Sequence, residues 1–162
     1  MLRTTLLVAV VCAAAAGCSP QLTRQERAVQ KRILSDRMTA WARVLNNRDR
    51  DSLAIFYDQV PELTVAWPDG RRTHGWEEQA EAVRDFFRVV ARINRVVQEE
   101  AIDVLSLDVA VATFRHATDI ILMTTDREIF TGQGTLVWVR NEAREWVIHL
   151  EHISRNPGSS PG

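Results

Sequence analysis

Imidazole changes its charge near neutral pH, so each histidine is a candidate for general acid or base work. The chain holds four histidines in 162 residues, and strand alternation singles out two of them. Between Trp146 and Ile153, the residues Trp146, Ile148, Leu150 and His152 share one face, and Val147, His149, Glu151 and Ile153 the other. The first face is the more apolar, so it is expected to look inward, with His152 at its far end. In the run from Val109, the small residues Ala110 and Ala112 would let a helix pack close, and Phe114 and His116 continue their face. His116 is therefore expected inward, with Thr113 and Arg115 outward. His116 and His152 are the candidate catalytic pair. The plainer alternative is a partly buried histidine hydrogen-bonded to a carbonyl or a carboxylate.

Other chemistries find less support. A catalytic zinc needs three protein ligands, and no HExxH or equivalent spacing supplies the third, so neither a metal nor a cofactor is expected. His149 and Glu151 fall on the outer face, where a solvated pair or a contact between two copies is the simpler reading. Asp58, Asp103, Asp119 and Asp126 sit at turns and strand ends without a clear basic partner, which speaks against paired-carboxylate chemistry. Ligand sites are mostly apolar with few polar groups. Trp41, Trp67, Phe114, Trp138 and Leu150 are the residues expected to line one.

Two groups of elements must position these residues. Thr23 and Glu26 form a capping-box pair, and from there Val29, Ile33 or Leu34, Met38, Trp41 and Leu45 recur every three or four residues. Asp51 or Ser52 can cap a short second helix that Pro61 closes. Leu63, Val65 and Trp67 alternate as a first strand, turned by Pro68-Asp69-Gly70. A third helix is expected from Gly75 to Ala91. The period then changes to two, and five strands are read: Val96 to Leu105, Val109 to Ala117, Asp119 to Phe130, Thr131 to Arg140 and Glu145 to Ile153, with turns at Ser106-Leu107-Asp108 and Thr124-Thr125-Asp126-Arg127. No helix follows Gly132 and Gly134, so a bulge or kink fits them better than a phosphate loop. Helices first and antiparallel strands after predict an α+β fold with helices on one face of a curved sheet.

The ends of the chain read differently. Met1 to Arg3 gives a short positive start, and Leu6 to Ala16 is an apolar run shorter than the ~20 residues needed to span a bilayer, the layout of an export signal. Ala15-Ala16-Gly17-Cys18 resembles the lipobox of bacterial lipoproteins, which implies cleavage before Cys18 and its lipidation. Ala15 stands where that motif most often has Leu, and cleavage after Ala14-Ala15-Ala16 is the alternative. By the same resemblance, Ser19 permits sorting to the periplasmic face of the outer membrane. The segments expected are thus a signal over 1–17, a tether over 18–24, a domain over 25–154 and a disordered tail over 155–162. The net charge of −1 gives no basic footprint for nucleic acid. With Cys12 in the signal, only Cys18 remains, so no disulfide framework can form.

Several stretches together carry a family resemblance: Trp41 on the first helix, a strand ending in Trp67, a helix led by Gly75, the run Leu105-Ser106-Leu107-Asp108-Val109-Ala110-Val111, the run Thr135-Leu136-Val137-Trp138, and Trp146 with Ser154 eight positions on. From Gln25 to Ser154 the chain resembles the SnoaL-like branch of the nuclear-transport-factor-2-like superfamily. More distantly it is similar to the association domain of calmodulin-dependent kinases. The resemblance implies a cone-shaped α+β barrel with one open pocket, often a homodimer, used by isomerases, dehydratases, cyclases, hydrolases and plain binding proteins. Relatives often carry two histidines, one residue apart, in the closing strand; here Leu150 stands at the first position and His152 at the second. A basic residue often found in relatives is Leu136 here. The leading expectation is an exported, lipid-anchored protein that binds a small apolar or amphipathic molecule. The alternatives are an isomerase, dehydratase or cyclase using a pocket histidine, and a dimeric interaction module working through Val137, Val139, Val147 and Ile153. The Asn141 to Glu145 turn leaves two registers open: Ile148 opposite Val137, or opposite Trp138.

Overall fold

The computed structural model describes residues 22–157. The expected signal segment, Cys18 and the last five residues lie outside them. Helix α1 (Arg24–Asn46) starts at the capping box: Thr23 Oγ1 accepts from the Glu26 N–H at 3.2 Å, and Glu26 Oε2 accepts from the Thr23 N–H at 2.8 Å. Its buried stripe is Leu34, Met38, Trp41, Ala42 and Leu45, while Val29 and Ile33 lie one turn off that stripe and stay exposed. Helix α2 (Arg50–Ala54) is capped by Asp49, not by Asp51 or Ser52 as expected, and Asp49 Oδ1 accepts from the Ser52 N–H at 3.0 Å.

Strands β1 (Thr64–Ala66) and β2 (Arg72–His74) form a short hairpin whose turn uses Gly70 at φ +89°. Helix α3 (Trp76–Val89) buries Gln79, Val83 and Phe87. Four long strands follow: β3 (Val90–Val104), β4 (Val109–Leu122), β5 (Arg127–Arg140) and β6 (Trp146–Ile153). The fivefold division expected from the sequence is therefore corrected. The turn read at 124–127 lies at 123–126, but Ala117 to Asp119 and Phe130 to Thr131 are mid-strand, and β3 begins six residues before Val96. The sheet order is β2-β1-β6-β5-β4-β3, antiparallel throughout except for the parallel β1–β6 pair. Helices before a curled antiparallel sheet make the α+β cone. Leu34, Met38 and Trp41 are fully buried in its core, each contributing about 1.5–3 kcal/mol by removal from water.

β-Bulges in β3 and β6 decide which side chains face inward. In β3, Gln98 pairs with Arg115 and Ala101 with Thr113, so one extra residue fits in, and Glu99 takes φ +49°. The inward set changes from Ile93, Arg95 and Val97 to Ile102 and Val104. In β6, Trp138 pairs with Ile148 but Val137 with Leu150, which leaves His149 as the extra residue. Trp146 and Ile148 face inward before it, Glu151 and Ile153 after it. The open register is thereby resolved in favour of Trp138 opposite Ile148.

Gly132 and Gly134 mark no bulge; the β4–β5 register runs through them unbroken. A Cβ on Gly132 would lie 1.9 Å from the Ser154 carbonyl oxygen, and one on Gly134 would lie 2.1 Å from the Phe114 ring. These glycines admit a backbone and a ring. The chain also stays ordered past Ser154. The Asn156 N–H donates to Thr131 O at 2.9 Å, and Arg155 pairs with Glu128 at 3.0 Å.

Candidate functional site

The inner face of the sheet, α1, α2 and α3 enclose a cavity of about 60 Å³, room for roughly four waters. Its apolar wall comes from Trp41, Leu45, Leu53, Val65, Trp67, Val83, Phe86 and Phe87, with Ile93, Ile120, Phe130 and Ile153 from the long strands. Its polar members are Tyr57, Gln79, Arg95 and Glu151.

Glu151 is 5 % exposed and Arg95 8 %. The Tyr57 hydroxyl donates to Glu151 Oε2 at 2.5 Å. Burial raises the Glu151 carboxyl above the ordinary glutamate value, while the Tyr57 hydrogen bond and the Arg95 charge pull it back. Burial, reinforced by Glu151, also raises the Tyr57 phenol well above its usual range, so it stays a donor. Burial lowers Arg95, and Glu151 and Tyr57 oppose that; a guanidinium starts high enough to remain charged.

The surrounding structure fixes Arg95 at both ends. Asn46, the last residue of α1, accepts from the Arg95 N–H at 2.7 Å and donates to the Arg95 carbonyl at 3.0 Å. Arg95 Nε donates to Thr118 Oγ1 at 3.3 Å, Thr118 Oγ1 lies 3.0 Å from His116 Nδ1, and His116 Nε2 lies 3.1 Å from the Ser154 carbonyl. One proton arrangement satisfies the whole chain. Because a carbonyl only accepts, Nε2 carries the hydrogen, Nδ1 accepts from the Thr118 hydroxyl, and the hydroxyl oxygen accepts from Arg95. This neutral form is favoured, since burial and the nearby Arg95 charge lower His116 to about 4.

The cavity thus takes in only part of the residue set expected from the sequence. Trp41 and Trp67 line it. Phe114, His116 and Trp138 face inward and are buried, but they pack behind its wall. Trp41 meets Phe114 edge-on at 6.1 Å, and His116 meets Phe130 at 5.8 Å. Leu150 and His152 are corrected: the bulge at His149 turns both to the outer face, where His152 is exposed. His149 and Glu151 do not share a face. His149 Nδ1 pairs with Asp58 Oδ2 at 2.9 Å on one side, and Glu151 reaches Tyr57 on the other, so the segment at 57–58 holds both ends of the bulge. Two acids expected to lack partners have them, Asp58 through His149 and Asp119 through Arg127 at 2.9 Å. Among the described residues no group of three His, Cys, Asp or Glu side chains is placed to hold a metal ion, and no helix is long and apolar enough to cross a membrane.

Sequence reasoning missed Arg95, Glu151 and Tyr57. Arg95 had a signal: with the strand extended back to Val90, it is the lone charge between Ile93 and Val97 on the inward parity. Glu151 had none, because an unseen bulge reverses its face. Tyr57, the only tyrosine, comes from a loop whose path only the fold reveals.

The comparison with known families settles the lineage. The family model described as a SnoaL-like domain matches residues 34–157. The chain belongs to the SnoaL-like family. Solved structures similar to this SnoaL-like chain include a nuclear transport factor 2-like superfamily protein from Salmonella enterica, at 19 % identity and TM-score 0.73, covering 83 % of this chain and 96 % of the other. A proposed scytalone dehydratase from Novosphingobium aromaticivorans aligns at 14 % identity and TM-score 0.71, covering 80 % of this chain and 85 % of its own. The association domain of calmodulin-dependent kinase II from C. elegans aligns at 15 % identity and TM-score 0.63, covering 81 % and 99 %. Identities this low establish the cone fold and nothing about the reaction. Among curated proteins, none matches the chain.

Proposed function

We propose that this SnoaL-like protein is a binding protein of the cell envelope, tethered through a lipid on Cys18, that takes a small amphipathic molecule into its cavity. The observation that carries this reading is an apolar chamber ending in a buried arginine, tyrosine and glutamate. The charged start, the apolar run and the lipobox-like Ala15-Ala16-Gly17-Cys18 support export to the periplasmic face of the outer membrane. The outer sheet face, with Val111, Val137, Val139 and Leu150 partly buried, is the surface on which we propose that two copies meet; the likeness to an association domain supports it.

The test is calorimetric titration of the mature chain with short neutral amphiphiles from 1-butanol to 1-octanol. Saturable single-site binding is expected, abolished by Val83→Phe, which fills the chamber from α3. Heats that do not saturate, or that survive the filled chamber, overturn the reading. Radiolabelled palmitate should label the full-length protein in cells and not its Cys18→Ala variant.

A catalytic reading has one observation in its favour, and it moves the base away from the histidines. His116 has both ring nitrogens committed and its proton affinity lowered, and His152 is outside the chamber. Glu151 is buried beside the cavity with its proton affinity raised, the property required of a general base working near neutrality.

A further inference from the structure

Arg95 is more than nine-tenths buried and lines the cavity; its guanidinium lies over the Trp41 ring at 5.9 Å, and of its guanidinium nitrogens only Nε has a hydrogen-bond partner among the described residues. No carboxylate of the described residues comes within 4.0 Å of its guanidinium. Glu151 acts on it electrostatically across a gap and is itself held by Tyr57. A guanidinium carries five donors, so those on its terminal nitrogens are left for water or a ligand in the cavity. A carboxylate matches two of them at once.

The cavity adjoins a groove at the surface. Trp67, Pro68, Phe86, Ile120 and Phe130 line both the inner chamber and an outer groove of about 180 Å³. The groove's cations are already engaged: Arg71 with Asp69 and the Trp67 ring, Arg155 with Glu128 and the Phe130 ring. They can attract an anion toward the mouth. The unmet donors are inside.

Resting on the pocket reading above, we infer that the occupant is a monocarboxylate with an apolar body, its carboxylate on the terminal nitrogens of Arg95 and its body running past Trp67 and Phe86 into the groove. Charge balance adds a consequence. Empty, the chamber holds one cation and one anion, Arg95 and Glu151. A second carboxylate there leaves an excess negative charge, relieved when Glu151 takes a proton from solvent. The titratable or charged groups facing that exchange are Tyr57 from the α2–β1 segment, Arg95 from β3 and, through Thr118, His116 from β4. Trp41 from α1 and Gln79 from α3 are uncharged.

The experiment titrates the mature chain with acetate, butyrate, hexanoate, octanoate and benzoate, beside the alcohols of matched length. It is run in buffers of different ionisation enthalpy and at two pH values. We expect the longer carboxylates to bind about tenfold or more tightly than their alcohols, with uptake of about one proton per ligand and tighter binding at lower pH. Arg95→Met should bring the carboxylates down to the level of the alcohols. Glu151→Gln, which keeps an acceptor for Tyr57, should tighten carboxylate binding by about tenfold and remove the pH dependence; it tests the inference alone if Arg95→Met fails to fold. Alcohols binding as well as carboxylates, or Glu151→Gln leaving carboxylate affinity unchanged, overturns the inference and spares the pocket reading. Binding by neither series overturns both.

Discussion

Acid should loosen this fold through His116, by an amount that can be worked out from its partners. The neutral ring donates from Nε2 to Ser154 O and accepts at Nδ1 from Thr118, which in turn receives Arg95 Nε. Adding a proton makes Nδ1 a donor, forces the Thr118 hydroxyl to swing away, and sets a second positive charge beside Arg95. The folded value is therefore lowered, from an ordinary 6.5 to about 4. The unfolded chain takes the proton first, so this contribution is complete above pH 6.5 and is lost as pH falls toward 4. A drop of that size corresponds to about 3 kcal/mol at most, and allowing for solvent screening we expect about 1–3 kcal/mol. Carboxylates titrate in the same range, so the assay is a difference: urea unfolding of the wild type and of His116→Gln at a series of pH values. Gln can accept from Thr118 and donate to Ser154 without titrating. The wild type should lose about 1–3 kcal/mol more than the variant between those limits. Two parallel curves would refute the reasoning.

Gly132→Ala should cost about 2–4 kcal/mol in urea unfolding, since its Cβ would meet the Ser154 carbonyl at 1.9 Å and disturb the Ser154 N–H bond to Gln133. Tyr57→Phe should cost about 1.5–3 kcal/mol by the same assay, because it removes a 2.5 Å donor from a buried carboxylate. His152→Ala should stay within about 0.5 kcal/mol of the wild type and leave ligand affinity unchanged. Diethylpyrocarbonate should modify exposed His152 and spare His116, as read by peptide mass spectrometry.

Periodicity and capping carried most of the fold. The capping box at Thr23 marks the start of α1, the stripe from Leu34 to Leu45 its buried side, and Pro68-Asp69-Gly70 the first hairpin. Period two also places Ala110, Phe114 and His116 inward on β4, a strand without a bulge. The same rule fails in β6, because one inserted residue reverses every side chain beyond it. Nothing local around His149 announces that insertion. It is fixed by the parallel neighbour at 56–58, where the Ile148 N–H donates to Phe56 O at 2.7 Å and the Asp58 N–H to Ile148 O at 2.9 Å. Trp138 illustrates a second limit. Its inward parity was readable, but depth was not, and it packs opposite Ala110 in the core and not at the cavity. The candidate site was thus legible in its aromatic wall and hidden in its charges.

The proposed site requires Glu151 to be enclosed with Tyr57 and Arg95 while His149 and His152 lie outside the chamber. Carbon-13 NMR of the glutamate side-chain carboxyls, followed through a pH titration, tests this directly. Glu151 should titrate above the ordinary glutamate value and move higher still in Arg95→Met, because the lost cation had favoured its ionised form. A Glu151 that titrates with the exposed glutamates, and is indifferent to Arg95, would contradict the account.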